Sequence, residues 1–343
     1  MKNAENLTNI EDQLVIKRVD LKPVGAVEKY NVLLQNDIQE FMFTNTSMHE
    51  IPCPVCSLTT FQLFGEKYNF NHVACDGCGF VFVNPRPSAG DMENYYTNSK
   101  ASAFFQTDII APTEENRIRL IVRPRLAYIN EKYPSKGKWL DIGCSSATLL
   151  GEAKKTGWEV TGLDFEKTAI AAAERKGVSM LKEPIELLDI EREFDLISLF
   201  EVLEHLSNPR EALEACYRAS TDGGSIVITV PNIEGFEFET IGMAHSNICP
   251  PSHLNYFSPS TLSTLLADVG YELTDIETPG YLDVDNIRTN ILSGTIETTG
   301  NKLLDELMTS EKPFADVNRE ALQGIVSTSG KSGHLRICAR KNA

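Results

Sequence analysis

Two groups of residues in this 343-residue chain have the types and spacing that chemistry requires. Cys53-Pro54-Val55-Cys56 and Cys75-Asp76-Gly77-Cys78 are two C-x-x-C pairs with 18 residues between them, the spacing of a four-thiolate zinc site. Each pair can close a knuckle that aims both sulfurs at one ion, and Gly77 and Gly79 permit the positive φ that such turns use. Four thiolates leave no open coordination position, so the Zn2+ expected here is structural; two disulfides are the alternative in an oxidising compartment. The second group is the turn Asp141-Ile142-Gly143-Cys144-Ser145-Ser146-Ala147, between an apolar strand (138–142) and a helix (148–156) that stops at Gly157. The small residues Gly143, Ser145 and Ala147 let a ligand lie against backbone N–H groups at the helix start. A dinucleotide turn places glycines where this chain has Gly143, Ser145 and Thr148, and the fixed carboxylate of Asp141 would repel a pyrophosphate. The same carboxylate attracts an ammonium or a sulfonium.

Further candidates fall at the ends of later strands. Asp164, with Phe165 beside it, closes the next strand 21 residues after Gly143, where a doubly wound fold places the acid that grips ribose hydroxyls; a helix N-cap is the alternative. Strand 194–200 runs into Glu201-Val202-Leu203-Glu204-His205, which faces the same crevice if the sheet is open and parallel. For His205 a local hydrogen bond at a helix start is the alternative. After strand 225–230 comes a segment dense in reactive types: His245, Cys249, His253 and Tyr256. A histidine titrating near neutrality can take the proton from an attacking hydroxyl or amine, which makes His253 the preferred general base and Tyr256 a substrate hydrogen-bonding candidate.

From Asp141 to Gly143 the chain resembles the class I S-adenosylmethionine (SAM)-dependent methyltransferases, whose turn is an acidic residue, any residue, then Gly at alternate positions. It keeps Asp141 and Gly143 and has Ser145 and Ala147 at the later glycines. Phe194-Asp195-Leu196-Ile197 followed by Leu203-Glu204-His205 resembles the small-molecule branch of that family. The resemblance implies a Rossmann-like sheet, parallel with an antiparallel last strand at His334 to Ala339. It implies SAM as methyl donor, Phe200 and Glu201 against the cofactor and His205 near the transferred methyl. His253-Leu254-Asn255-Tyr256-Phe257-Ser258 resembles the loop that follows strand five in zinc-ribbon methyltransferases acting on sugars and related metabolites. The carbon methyltransferases among those have Glu-His here with a Tyr shortly before, where this chain has Ser252-His253 and Pro250. The expectation is methyl transfer to an oxygen (or nitrogen or carbon) of a small polar metabolite, such as a sugar or nucleotide-sugar.

The elements that must position these groups follow in order. Residues 1–50 read as a polar start and a helix around Val27 to Phe43, 51–87 as the zinc ribbon, and 88–137 as a connecting helical segment that Pro124 bends. Residues 138–343 alternate strands and helices, with an insertion at about 280–332 over the crevice that holds a helix near 301–309. The formal net charge of −16, with Lys+Arg 32 against Asp+Glu 48, argues against nucleic acid as a partner. It also opposes the rival reading of an RNA methyltransferase that holds RNA on its ribbon. A second rival, an inactive binding scaffold, rests on Ser145 and Ala147; a nicotinamide oxidoreductase is opposed by Asp141. No apolar run approaches a membrane span and no secretory signal opens the chain, so a cytoplasmic enzyme with a small-molecule acceptor is expected.

Overall fold

The computed structural model describes residues 18–23, 25–43 and 47–342, and the polar start expected over residues 1–17 lies outside the described residues. Its strands are β1 (Met48–His49), β2 (Phe61–Lys67), β3 (Phe70–Cys75), β4 (Val81–Val83), β5 (Arg86–Pro87), β6 (Lys138–Ile142), β7 (Glu159–Leu163), β8 (Ser179–Leu181), β9 (Phe194–Phe200), β10 (Ser220–Pro231), β11 (Asn255–Tyr256), β12 (Tyr271–Glu277) and β13 (His334–Lys341). Seven of them form the main sheet in the order β12-β13-β10-β9-β6-β7-β8. β8, β7, β6, β9 and β10 run parallel, while β13 lies antiparallel to both β10 and β12. The central strands have the near-continuous apolar sequence that burial on both faces demands, and Trp139, Leu140, Leu196, Ile197 and Leu199 are fully buried. This is the Rossmann-like architecture with an antiparallel end that the alternation of elements implied.

Three departures from the sequence reading have local causes. The connecting helical segment expected over 88–137 ends in a helix broken into Glu114–Arg117, a π-helical turn at Ile118–Val122, and Arg123–Lys132. Pro124 sits in the first turn of the last piece, where its missing N–H would have been unused anyway. β10 starts five residues early at Ser220, because a register shift between Ser220 and Ser225 absorbs Asp222-Gly223-Gly224 within the strand. The insertion holds three helices, Asp283–Leu292, Lys302–Thr309 and Ala315–Thr328, rather than one. They close over Phe236–Ile241 through a small core of Ile241, Val284, Ile287 and Met308.

The ribbon is joined to the main domain by more than a linker. β2, β3 and β4 form an antiparallel sheet whose fourth strand is β11, from the loop after β10, with Asn255 opposite Phe82 and Tyr256 opposite Val81. Cys53, Val55, Phe80 and Phe82 belong to one apolar core with Leu199, Ile228 and Phe257 of the main domain. Phe82 stands edge-on to Phe61 and stacks on Phe80, whose ring centroid is 5.0 Å from that of Phe257. Phe82→Ala is expected to cost about 3–5 kcal/mol in urea unfolding, because it opens a cavity in a core shared by both sheets. A single cooperative transition moving by that amount is the expected record; a separate early loss of the ribbon alone would contradict the shared core.

Candidate active site

The cofactor turn is built by neighbouring strands. β6 carries Asp141 between Ser198 of β9 and Gly162 of β7. The Ser198 hydroxyl donates to Asp141 Oδ1 at 2.5 Å and accepts from the Trp139 indole at 2.7 Å, so the carboxylate is oriented from inside the sheet. Burial pushes the Asp141 carboxyl up to about 7, against the opposing hydrogen bond from Ser198 and the positive charge of Arg125. Arg125, from the helix that precedes β6, lies with its guanidinium 4.0 Å from the Phe200 ring centroid and forms no hydrogen bond or ion pair among the described residues. Its charge is felt by both Glu201 and Asp141.

The turn takes up left-handed backbone at Gly143 (φ +66°), Ser145 (φ +48°) and Ala147 (φ +51°). A Cβ on Gly143 would meet the Val202 side chain at 2.5 Å, so this position also needs the space. Asp164 Oδ2 accepts the Ser145 N–H at 2.9 Å and Oδ1 accepts the Glu166 N–H at 2.9 Å, fixing the turn to the end of β7. Glu166, rather than Asp164, accepts from Ala169 N at 2.7 Å at the start of the next helix. Phe165 is 59% exposed, with a ring face open to a ligand. A cleft of about 360 Å³ lies against the turn, walled by Gln106, Glu114, Ser145, Ser146, Glu166 and Lys176.

A second cluster occupies the end of β9 and the loop before β11. The His205 and His253 rings stand edge to face, 4.6 Å apart. His205 Nδ1 is 2.8 Å from the Ser252 carbonyl, and His253 Nδ1 is 2.8 Å from the Asn247 carbonyl. Each imidazole therefore donates from Nδ1 and keeps a lone pair on Nε2. Burial holds both below the usual histidine range, with each ring's neighbours adding to or opposing it, so both are neutral near pH 7. Tyr96, from the connecting segment, donates to the Ser252 carbonyl at 3.0 Å and lies 3.2 Å from His205 Nδ1. The Tyr256 hydroxyl is buried, donates to the His253 carbonyl at 2.9 Å and sits 3.1 Å from His72 Nε2, so it braces the loop. Glu201, at φ +57° with its N–H on Thr229, places a carboxylate 3.7 Å from His334 of β13.

The third group is the cysteine set. One sulfur from each of Cys53, Cys56, Cys75 and Cys78 lies within 4.8 Å of the others, with 3.6 Å between Cys53 and Cys78 and 3.3 Å between Cys56 and Cys75. Tetrahedral thiolates at about 2.3 Å from zinc stand about 3.8 Å apart, so the set fits such an ion with small adjustments.

Arg125 and Ser198 are neighbours of the predicted residues that sequence reasoning did not single out. Tyr96 is read from the sequence only as an aromatic of the connecting segment, covering a ligand or packing between domains, and Glu204 only as part of the motif before His205. Arg125 carries no motif, and Ser198 is found only by knowing which strand lies beside β6. Ala147→Gly is expected to leave the melting temperature unchanged or raise it, although an ordinary Ala→Gly change costs about 0.5–1 kcal/mol, because it releases left-handed strain. A fall of several degrees would mean the turn is not left-handed at that position.

A family description of the methyltransferase domain matches residues 114–276. The chain is 28% identical over 167 residues to the ubiquinone biosynthesis O-methyltransferase of Pseudomonas savastanoi pv. phaseolicola, over 44% of this chain and 72% of that protein. It is 28% identical over 184 residues to the enzyme of the same name from Coxiella burnetii, over 49% of this chain and 78% of that one. Among solved structures, a SAM-dependent methyltransferase of Thermotoga maritima described as a possible histamine N-methyltransferase aligns with a TM-score of 0.45 and 17% identity, over 68% of this chain and 97% of that one. The matched residues, a little under half of this chain, run from the helix before β6 into β12 and hold the Asp141 turn, so the methyltransferase domain lies where that turn is and is similar to those of SAM-dependent methyltransferases.

Proposed function

We propose that this enzyme methylates an oxygen of a small polar metabolite, a hydroxyl of a sugar or nucleotide-sugar or a comparable phenol, and that its ribbon holds a structural Zn2+. The observation that carries the acceptor reading is the pair of neutral imidazoles at the carboxyl end of the sheet, each with Nε2 free to meet an O–H. The relatives named as O-methyltransferases support oxygen as the acceptor atom, and their association with ubiquinone biosynthesis makes phenols a necessary part of any acceptor screen.

Bound SAM supplies an electrophilic methyl group on a sulfonium. The residues present fit it: the buried Asp141 carboxylate would accept from its ammonium, the unpaired Arg125 guanidinium would meet its carboxylate, and Asp164 retains acceptor capacity for ribose hydroxyls. His205 and His253 form the pole at which the acceptor hydroxyl loses its proton, and Tyr96 fixes the first of them. Alignment of acceptor and donor in a site screened from water would be the main source of rate.

The folded protein keeps a proton on Asp141 from about pH 4, where a free carboxyl ionises, up to about 7. Binding an ammonium there requires the carboxylate, so SAM binding near pH 6 should release a proton, and affinity should rise with pH until it levels above about 7. Calorimetric titration in buffers of different ionisation enthalpy measures this. Asp141→Asn should abolish the proton release and weaken binding at least ten-fold; unchanged binding would remove Asp141 from the cofactor site. Methyl transfer to sugars, nucleotide-sugars and phenols in the same preparation tests the acceptor. Zinc removal by a strong chelator should lower the melting temperature and methyl transfer together, because β11 depends on β4 for its pairing, while SAM affinity falls less. Full activity in zinc-free protein would refute a structural ion.

A further inference from the structure

Glu204 is the most unusual side chain near the acceptor pole. It is 1% exposed, and neither carboxylate oxygen has a hydrogen-bond partner among the described residues. Its own backbone carbonyl is fully used, accepting from Leu254 N at 2.9 Å and from the Asn255 amide, so the chain is held firmly where the carboxylate lies. A buried carboxylate left without donors is strongly unfavourable unless a proton or a metal cation meets it. Glu204 Oε1 is 4.0 Å from His205 Nε2, and one donor atom from each of Glu204, His205 and His253 lies within 4.8 Å of the other two. Apart from the four cysteines, this is the one group of three or more metal-type side chains so gathered among the described residues.

The hydrogen bonds behind the two rings point the same way. Both histidines give Nδ1–H to a backbone carbonyl at 2.8 Å, which fixes the tautomer and leaves Nε2 as the donor atom, the usual arrangement behind a ligating imidazole. Two neutral imidazoles and one carboxylate on one side leave the remaining positions of an ion open to an exogenous oxygen. This donor set suits a divalent transition metal such as manganese, iron, cobalt or zinc rather than calcium or magnesium, which prefer all-oxygen sites. Bonds of about 2.1 Å would draw the donors to about 3.2 Å from one another, a closure within reach of the Glu204 side-chain torsions.

We propose that Glu204, His205 and His253 form a second metal site, distinct from the cysteine cluster, that binds one divalent transition-metal ion with open positions facing the acceptor crevice. This deepens the acceptor reading given above and rests on it for the link to methyl transfer, whereas the binding of the ion does not. With the ion bound, His205 and His253 would be its ligands instead of taking the acceptor's proton, and an acceptor oxygen ligated to the ion would be acidified enough to release that proton to water.

The test is calorimetric titration of tag-free, zinc-loaded protein with Co2+, with zinc content measured afterwards to show that the thiolate-bound ion was not exchanged. One additional equivalent should bind. Glu204→Gln and His253→Asn, each close in shape to the native residue, should weaken it at least ten-fold while the melting temperature and SAM affinity stay near those of the parent. No Co2+ beyond the zinc equivalent, or equal binding in parent and both variants, would overturn the site. If no Co2+ binds but methyl transfer still falls in His253→Asn, the metal site fails and the acceptor reading stands. If the ion binds and no acceptor is ever methylated, the reverse holds.

Discussion

The arrangement depends on a very short piece of backbone pairing. Asn255 and Tyr256 lie beside Phe82 and Val81, and around that ladder the loop after β9 is gathered. The Asn255 amide donates to the Leu206 carbonyl at 2.7 Å and to those of Leu203 and Glu204, while its oxygen accepts from the buried Arg86 guanidinium at 3.2 Å. Arg86 also reaches the carbonyls of Val83, Ser207 and Leu254, and burial pulls it down to about 9. One charged side chain thus satisfies carbonyls from the ribbon, from the β9 loop and from the segment before β11. The Leu254 carbonyl also accepts from Val83 N at 2.9 Å, so the guanidinium extends and reinforces a backbone pairing that is only a few residues long.

The two halves of the proposed active site are held by different physics. The cofactor half is part of the parallel sheet, and its geometry follows from strand order and from the Trp139–Ser198–Asp141 chain of hydrogen bonds. The acceptor half is held by loops braced against the ribbon through Tyr96, Asn255 and Tyr256. Both halves bury carboxylates whose charge is poorly compensated within the protein, Asp141 and Glu204, and in each case burial raises the pKa. Such a site favours ligands that bring positive charge.

Much of this was legible in the sequence. Asp141 and Gly143, the paired cysteines and the strand alternation all depend on near neighbours along the chain, and the structure places them as the spacing implied. Ser145 and Ala147 were read as stand-ins for glycine, and they adopt the left-handed backbone that glycine would favour. What escaped depends on distant partners. A two-residue strand such as β11 has no periodicity to detect, and its partner lies some 170 residues earlier. Arg125 sits on a helix whose π-helical turn sets which way that face points, and Glu204 is informative only because no donor meets it. Tyr256, singled out for its hydroxyl, is occupied with His72 and the His253 carbonyl.

The same ladder bears on how the molecule is made. β4 emerges from the ribosome with one edge paired to β3 and the other open, and the strand that closes it appears about 170 residues later. At synthesis rates of roughly 5–20 residues per second, that edge stands unpaired for about 10–35 s. Val81, Phe82 and Val83 on it form a short apolar strand of the kind that pairs with other chains when left exposed. An ion captured early by the four cysteines, all of which precede β4, would keep the nascent ribbon compact through that interval.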